Sequence, residues 1–186
     1  MRNTWLAALL FCPALWSQPA ADVEAVVSTE MGSFRFEFAP DKAPKHVEQF
    51  LELARQGYYH GSAFHRVVAN GIIQGGDPLL KDPKTPRNLW GSGGLNLLPG
   101  EISDLKHERG VISMARGGDP DSAGSQFFIC HGDAKFLDRQ YTAFGELVSG
   151  EEVLEAIANV PTSGSERSTP VERVALESVT IVPAKD

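Results

Sequence analysis

The sequence predicts a mainly β protein whose strands close into an antiparallel barrel capped by two α-helices. Three observations favour this class. Short strand-like segments recur along the chain, turn residues separate them, and only two segments repeat their apolar residues at helical spacing. An antiparallel sheet that closes on itself has no unpaired edge, and helices can cover its open ends.

The strand pattern is clearest near the N-terminus, where Phe34, Phe36 and Phe38 alternate with Arg35 and Glu37. This period of two places the three aromatic rings on one face of a strand. The predicted strands are Val23–Thr29, Ser33–Phe38, Ala63–Val68, Ile72–Gln74, Val111–Arg116, Gln126–His131, Thr142–Val148 and, as one or two strands, Val171–Val182.

The first predicted helix starts near Pro44 and ends at Gly57, which is the usual placement of proline and glycine at helix termini. The second covers Glu151–Asn159. Both repeat apolar residues three and four positions apart, so each has one face for the core. These residues are Val47, Phe50, Leu51, Ala54, Val153, Leu154 and Ile157.

Two connections are long. Asp77–Glu101 carries Trp90, which we expect to be exposed, and the Ser, Thr and Gly content of Thr162–Pro170 predicts a mobile surface loop. Neither resembles a linker between domains, because strand segments resume on both sides. We therefore expect one domain over residues 22–186.

Residues 1–21 have the order of a secretory signal peptide. Arg2 supplies a positive charge, the run from Trp5 to Trp16 is almost wholly apolar, and small residues follow it. The run is shorter than the about 20 residues that a transmembrane helix needs. We expect cleavage near residues 17–21 and a soluble protein that is periplasmic or secreted, with uncleaved anchoring as the alternative.

The composition excludes several classes. A formal net charge of -7 and a sequence pI near 5.2 argue against binding to nucleic acid or anionic membranes. The histidines have no paired metal-ligand spacing, and no serine lies in a nucleophile elbow, so we expect no metal, no cofactor and no hydrolase. Signal cleavage would remove Cys12 and leave Cys130 alone, which we expect to be buried and not disulfide-bonded.

The segment Phe64–Asp77 carries the strongest functional pattern. It sets Arg66 between apolar residues, places the amide of Gln74 after a second apolar stretch, and closes on paired glycines. The segment Gly124–Ile129 supplies a further strand of complementary composition. Together they predict a mostly dry groove in which a permanent cation faces a neutral polar group.

Five motifs resemble those of the cyclophilins, the peptidyl-prolyl cis-trans isomerases, in the same order and at compatible spacing. They are Phe64-His65-Arg66, Gln74-Gly75-Gly76-Asp77, Ser113-Met114-Ala115, the run from Gly124 to Ile129, and Phe144-Gly145. The resemblance extends from about Val23 to Val182. It implies an eight-stranded barrel and prolyl isomerase activity, with Arg66 as the catalytic arginine.

Isomerisation of an X-Pro bond breaks no covalent bond, so it requires no nucleophile, metal or cofactor. The barrier, about 18–20 kcal/mol for a peptide bond, comes from amide resonance that is lost when the bond twists. An enzyme lowers it by holding the proline in an apolar pocket, gripping the flanking backbone and donating to the twisted proline nitrogen. A guanidinium, which is always charged and rich in donors, suits the last task.

The predicted catalytic residues are Arg66, as the donor, and Gln74, as an amide that holds Arg66 and the peptide in place together with Gln126. The rest are predicted to bind substrate. Ile72, Phe128, Phe136 and Leu137 form the proline pocket, Ala115 and Arg116 pair with the peptide main chain, Tyr141 offers a hydroxyl, and Gly71 borders the pocket.

The chain departs from the family pattern at several positions. Gly71 stands where the family usually has a phenylalanine of the proline pocket, so we expect reduced but retained activity, with Trp90 partly refilling the gap. Ile72 replaces a methionine. Phe136 stands where the family has a tryptophan that binds cyclosporin, so we expect weak inhibition by that drug.

The sequence therefore predicts a monomeric, exported isomerase that acts on proline-containing polypeptides and assists the folding of exported proteins. One alternative is a binding module of the same fold with little turnover, which the missing aromatic ring at Gly71 favours. Another, which depends only on the loop around Trp90, is a structural partner in an envelope complex. Measurements of cis-trans exchange on a proline peptide distinguish the isomerase from the binding module.

Overall fold

The computed structural model describes residues 18–185, which form a closed barrel of eight antiparallel strands with two α-helices packed against it. The predicted signal segment falls outside the described residues up to position 17. The strands are β1 (Val23–Thr29), β2 (Gly32–Phe38), β3 (Ser62–Val67), β4 (Ile72–Gly75), β5 (Asn96–Leu98), β6 (Val111–Met114), β7 (Ala123–Gly124), β8 (Phe127–Cys130), β9 (Thr142–Ser149), β10 (Thr162–Ser163), β11 (Thr169–Pro170) and β12 (Val174–Pro183).

The barrel closes in the order β1-β12-β3-β4-β8-β6-β9-β2, and every neighbouring pair is antiparallel. The remaining strands form two small ribbons outside the barrel, β5 with β7 and β10 with β11. Helix α1 spans Pro44–Arg55 and α2 spans Glu151–Ala158. The mainly β barrel and both helices are as predicted.

Aromatic side chains form a cluster in the hydrophobic core. The ring of Phe50 on α1 contacts five other aromatic rings, and it is fully buried. Its partners are Phe36, Phe38, Tyr59, Phe127 and Phe144. From the other helix, Leu154 and Ile157 are buried in the same core. The alternation of β2 thus has the structural role that its period of two predicts.

The structure differs from the sequence-based prediction in the long connections. Thr162–Pro170, predicted to be a mobile loop, contains the β10–β11 ribbon. Trp90, predicted to be exposed, is half-buried, and its indole Nε1 donates to the Thr85 carbonyl at 3.1 Å. Both segments are polar and rich in turn residues, so their composition does not reveal these contacts. Within residues 18–185, no helix is long and apolar enough to span a lipid bilayer.

Candidate active site

A cavity of about 290 Å³ opens on the outer face of the barrel where β3, β4 and β8 run side by side. It is lined by every predicted site residue except Gln126, together with Val68. The lining residues are Arg66, Val68, Gly71, Ile72, Gln74, Ala115, Arg116, Phe128, Phe136, Leu137 and Tyr141. Residues predicted from segments up to about 75 positions apart in the chain therefore meet in one place.

Strand register explains how the central residues meet. Arg66 on β3 lies directly opposite Gln74 on β4, and Gln74 lies opposite Phe128 on β8. Side chains at paired positions of neighbouring strands point to the same face, about 5 Å apart. The cation, the amide and the phenyl ring therefore form one row across the sheet.

The Gln74 amide is held by Gln126. Gln74 Nε2 donates to Gln126 Oε1 at 2.9 Å, and Gln126 Nε2 donates in turn to the carbonyls of Gly91 and Gly93. We predicted that these amides hold Arg66, but no hydrogen bond joins either of them to its guanidinium among residues 18–185. Gln74 is Arg66's neighbour across the strands and not its hydrogen-bond partner, so the guanidinium keeps its donors for other groups.

Arg66 itself lies at the rim. Its side chain is 42% exposed, and its Nη2 is 3.8 Å from Glu166 Oε2 in the loop between β10 and β11. That separation is longer than a hydrogen bond. The donors of Arg66 are therefore directed to a surface that a bound peptide can reach.

The floor of the cavity is apolar and rigid. Phe128 is 2% exposed, with its ring stacked on His107 at a 22° interplanar angle and in edge contact with Tyr141 at 82°. Phe136, from a turn of 3-10 helix at Lys135–Leu137, is instead 72% exposed and forms the outer rim. A proline ring can therefore pack between a fixed floor and a solvent-facing edge.

A buried polar chain supports this floor, and sequence analysis missed it. His107 Nδ1 lies 3.2 Å from Asp138 Oδ1, and His107 Nε2 lies 3.0 Å from Ser113 Oγ. The backbone N–H of His107 donates to Asp138 and lowers the pKa of that carboxyl. A neutral imidazole satisfies both contacts, donating to the carboxylate and accepting from the hydroxyl.

Ser, His and Asp in contact are the residues of a hydrolase triad, but here Ser113 is fully buried, opposite Phe128 on the neighbouring strand. A substrate cannot reach its hydroxyl, so the arrangement positions the floor and performs no nucleophilic chemistry. Burial lowers the pKa of His107, which keeps the ring neutral. The three residues are 31 positions apart in the chain at most, and no local pattern relates them.

Gly71 lies at the edge of the cavity in a turn fixed from below. The ring Nδ1 of His131 accepts from the Asn70 N–H at 3.1 Å, and the His131 N–H donates to the Gly71 carbonyl at 2.8 Å. The other ring nitrogen contacts Glu155 Oε2 at 3.0 Å, and this contact with His131 helps to lower the pKa of Glu155 to about 2. The turn therefore has one defined conformation.

The wall left open by Gly71 is not refilled by Trp90. Trp90 does not line the cavity, and the Arg87 guanidinium covers its ring at 4.7 Å. Our expectation of refilling is therefore wrong. A Cβ atom at position 71 would come within 2.9 Å of Val68 Cγ1, so Val68 would have to move before a phenylalanine could occupy that position.

A second cavity of about 230 Å³ adjoins the first and shares Gln74, Ala115 and Arg116 with it. Gln126, the one predicted site residue that does not line the first cavity, lines this second one. The loop on its far side is held by buried Asp77, whose carboxylate accepts from three backbone N–H groups. They belong to Leu79, Gly91 and Gly93.

His65 points to the opposite side of β3 from Arg66, as the strand period predicts. It is 6% exposed, its Nδ1 has no hydrogen-bond partner within the described chain, and burial lowers its pKa to about 4. The unfolded chain, with a histidine pKa near 6.5, takes up this proton first on acidification. Stability conferred by neutral His65 is thus fully present above pH ~6.5 and is lost towards pH ~4.

We expect the free energy of unfolding to fall by up to about 3 kcal/mol from this group between pH 7 and pH 4. His65→Gln should flatten that dependence in urea unfolding measured at several pH values. Some slope will persist because burial also lowers the pKa of His46 and His107. An equal slope in wild type and His65→Gln would contradict the assignment.

Within the described residues, no group of three or more His, Cys, Asp or Glu side chains could hold a metal ion. Cys130 is buried and free, and burial raises its pKa to about 12, so its thiol is not a nucleophile. The cavity is lined by the guanidinium groups of Arg66 and Arg116, the Gln74 amide and apolar side chains.

Comparisons with known proteins show the family of this chain. Residues 25–181 match the family described as cyclophilin type peptidyl-prolyl cis-trans isomerase/CLD. A peptidyl-prolyl cis-trans isomerase-like 3 of Dictyostelium discoideum is 36% identical over 160 residues, covering 86% of this chain and 95% of its own. A probable peptidyl-prolyl cis-trans isomerase of Brucella abortus is 41% identical over 150 residues, covering 77% and 76%.

The solved structures that this chain resembles are also cyclophilins. The crystal structure of a cyclophilin type peptidyl-prolyl cis-trans isomerase of Cryptosporidium parvum, determined in the presence of the dipeptide Ala-Pro, has a TM-score of 0.74 and 32% identity. It covers 88% of this chain and 99% of that one. AquaCyp293, a cyclophilin of Hirschia baltica, has a TM-score of 0.69 and 25% identity over 88% of this chain.

Proposed function

We propose that this chain, which belongs to the cyclophilin-type peptidyl-prolyl cis-trans isomerases, assists the folding of exported proteins through its isomerase activity. Its reaction is rotation about X-Pro peptide bonds. The observation that supports the role of the cavity is the row formed by Arg66, Gln74 and Phe128 on three adjacent strands. In this row a rim cation, an amide and a buried phenyl ring lie side by side.

The proline ring packs on Phe128, with Ile72 and Leu137 beside it and Phe136 over its outer edge. In this position the amide nitrogen of the X-Pro bond faces Arg66. Amide resonance makes that nitrogen a poor acceptor while the bond is planar. As the bond twists, the nitrogen becomes pyramidal and gains a free lone pair, so a guanidinium donor favours the transition state over both ground states.

The flanking chain is held by polar groups. Gln74 is oriented by Gln126, which leaves its carbonyl oxygen free to accept from the peptide. The second cavity, on the far side of Gln74 and Arg116, accommodates a side chain next to the proline. Holding both flanks lets the enzyme rotate one side of the bond against the other.

Export is supported by the positive, apolar and small-residue order of residues 1–21. Uncatalysed prolyl isomerisation takes about 10–100 s at 25 °C, which is slow enough to limit the folding of a newly exported chain. Expression of the full chain in a Gram-negative host, followed by cell fractionation and mass spectrometry, tests this proposal. A periplasmic protein that begins near residues 17–21 supports it, and an uncleaved cytoplasmic protein contradicts it.

A binding module with little turnover was the alternative that Gly71 favoured. The family assignment favours the enzyme, and the cavity keeps its cation and its floor despite the open wall. The open wall weakens proline packing, so its expected consequence is a raised KM.

We expect weak inhibition by cyclosporin. Phe136 stands where the family has a tryptophan that contacts the drug, and a phenylalanine ring has no N–H donor. Phe136→Trp should therefore lower the inhibition constant in a proline-isomerisation assay, while Phe136→Leu should not. Nanomolar inhibition of the wild-type protein would contradict this expectation.

A further inference from the structure

The β10–β11 ribbon is fixed beside the catalytic strand. The Val67 N–H, next to Arg66 on β3, donates to the Ser168 carbonyl at 2.7 Å. From the other side, the Arg87 guanidinium donates to the carbonyls of Pro170 and Val171. The ribbon is therefore an ordered part of the cavity rim, although its composition is that of a mobile loop.

The tip of this ribbon is a tight turn. Gly164 and Arg167 have φ angles of 88° and 51°, and the Arg167 N–H donates to the Gly164 carbonyl at 3.1 Å. The turn carries Glu166, which is 73% exposed, to within 3.8 Å of the Arg66 guanidinium. Among residues 18–185, Glu166 is the one acidic side chain within ion-pair distance of Arg66.

The distance between Glu166 and Arg66 determines whether the carboxylate is available to a bound peptide. A carboxylate at 3.8 Å does not hydrogen-bond the guanidinium, so it does not lock Arg66, and its oxygens remain open to solvent. Because Glu166 lies beside Arg66, a peptide that leaves the cavity on the β3 side would pass within reach of its carboxylate. The opposite side of the cavity is bordered by a cation, Arg116, whose guanidinium lies 4.7 Å from the Tyr141 ring centroid.

We propose that Glu166 is a specificity-determining residue that favours proline peptides with Lys or Arg on the flank that passes the β10–β11 ribbon. It disfavours peptides with Asp or Glu at the same position. Glu166 borders the cavity on the β3 side only, and Arg116 borders the opposite side, so the effect belongs to one flank of the proline only. This inference rests on the proposed isomerase function and adds the charge preference of its substrates.

The test compares wild type with Glu166→Gln, which removes the charge and keeps the shape. Peptides carry Lys, Ala or Glu at each of the two positions on either side of the proline. An exposed ion pair changes an equilibrium by about 1.4- to 5-fold. We therefore expect kcat/KM for the Lys peptide to fall about two- to fivefold at one flank, with a comparable gain for Glu and no change for Ala.

Two controls separate charge preference from other effects. Glu146→Gln removes the same charge from an exposed position of β9 outside both cavities, so it should change none of the ratios. At about 1 M salt, where the Debye length is about 3 Å, the difference between Lys and Glu peptides should largely disappear in wild type.

An equal fall for Lys, Ala and Glu peptides in Glu166→Gln would overturn the inference, because it would mean that Glu166 only orients Arg66. Unchanged ratios would overturn it as well. Peptide affinities from NMR titration make the test independent of turnover. A protein that prefers Lys peptides but does not isomerise them would refute the proposed function and leave the charge preference standing.

Discussion

Replacing Arg66 with Ala should lower kcat/KM for a proline peptide by about a hundredfold to a thousandfold. Removing one donor that is aimed at a reacting group typically costs about 2.7–4 kcal/mol of transition-state stabilisation. Since the guanidinium is at the rim and 42% exposed, the fold should tolerate the change. A protease-coupled or NMR exchange assay measures the loss, and urea unfolding measures the stability.

Arg66→Lys is the matched variant. It keeps the charge and loses the planar set of donors, so it should recover only a small part of the activity if directed donation is what matters. Peptide affinity should change little in both variants, because Phe128 and its neighbours hold the proline. Recovery of full activity by lysine would mean that Arg66 acts through its charge alone.

Replacing Phe128 with Ala should have the largest combined effect on stability and binding. Its ring is buried between His107 and Tyr141, and truncating such a ring costs about 3–5 kcal/mol of the free energy of unfolding. It also removes the floor on which the proline packs, so KM should rise. Calorimetry and steady-state kinetics on the same preparation measure the two effects.

Phe136→Ala separates the effect on stability from the effect on substrate binding. Phe136 lines the same cavity but is 72% exposed, so its removal should change the free energy of unfolding by less than about 0.5 kcal/mol while still raising KM. If Phe128→Ala destabilises no more than Phe136→Ala does, the buried floor described for this cavity is wrong. Phe128→Leu, which refills most of the volume, should restore stability before it restores affinity.

The sequence was sufficient to place the row of residues to which we assign the chemistry, because strand periodicity constrains their positions. Once β3, β4 and β8 are recognised as neighbours, Arg66, Gln74 and Phe128 must share a face, and His65 must point away. The helices were equally predictable from Pro44, Gly57 and their apolar spacing.

The sequence was insufficient where contacts join segments with no shared period. The chain from Asp138 through His107 to Ser113 depends on a loop folding back beneath Phe128. The β10–β11 ribbon is held by the backbone bond from Val67 to Ser168 and by the Arg87 guanidinium, and neither contact can be read from its composition. The sequence identified Gly71 as a gap in the pocket wall. It could not show that the Val68 side chain crowds this position.

The assignment of this cavity as a prolyl isomerase site is tested most directly by NMR exchange on an Ala-Pro-containing peptide with catalytic amounts of the wild-type protein. Uncatalysed exchange takes about 10–100 s, so no cis–trans cross-peaks appear at mixing times below about a second without enzyme. We expect such cross-peaks with the wild-type protein and their loss with Arg66→Ala. Absence of exchange with the wild-type protein, despite binding of the peptide at the cavity, would contradict the isomerase assignment.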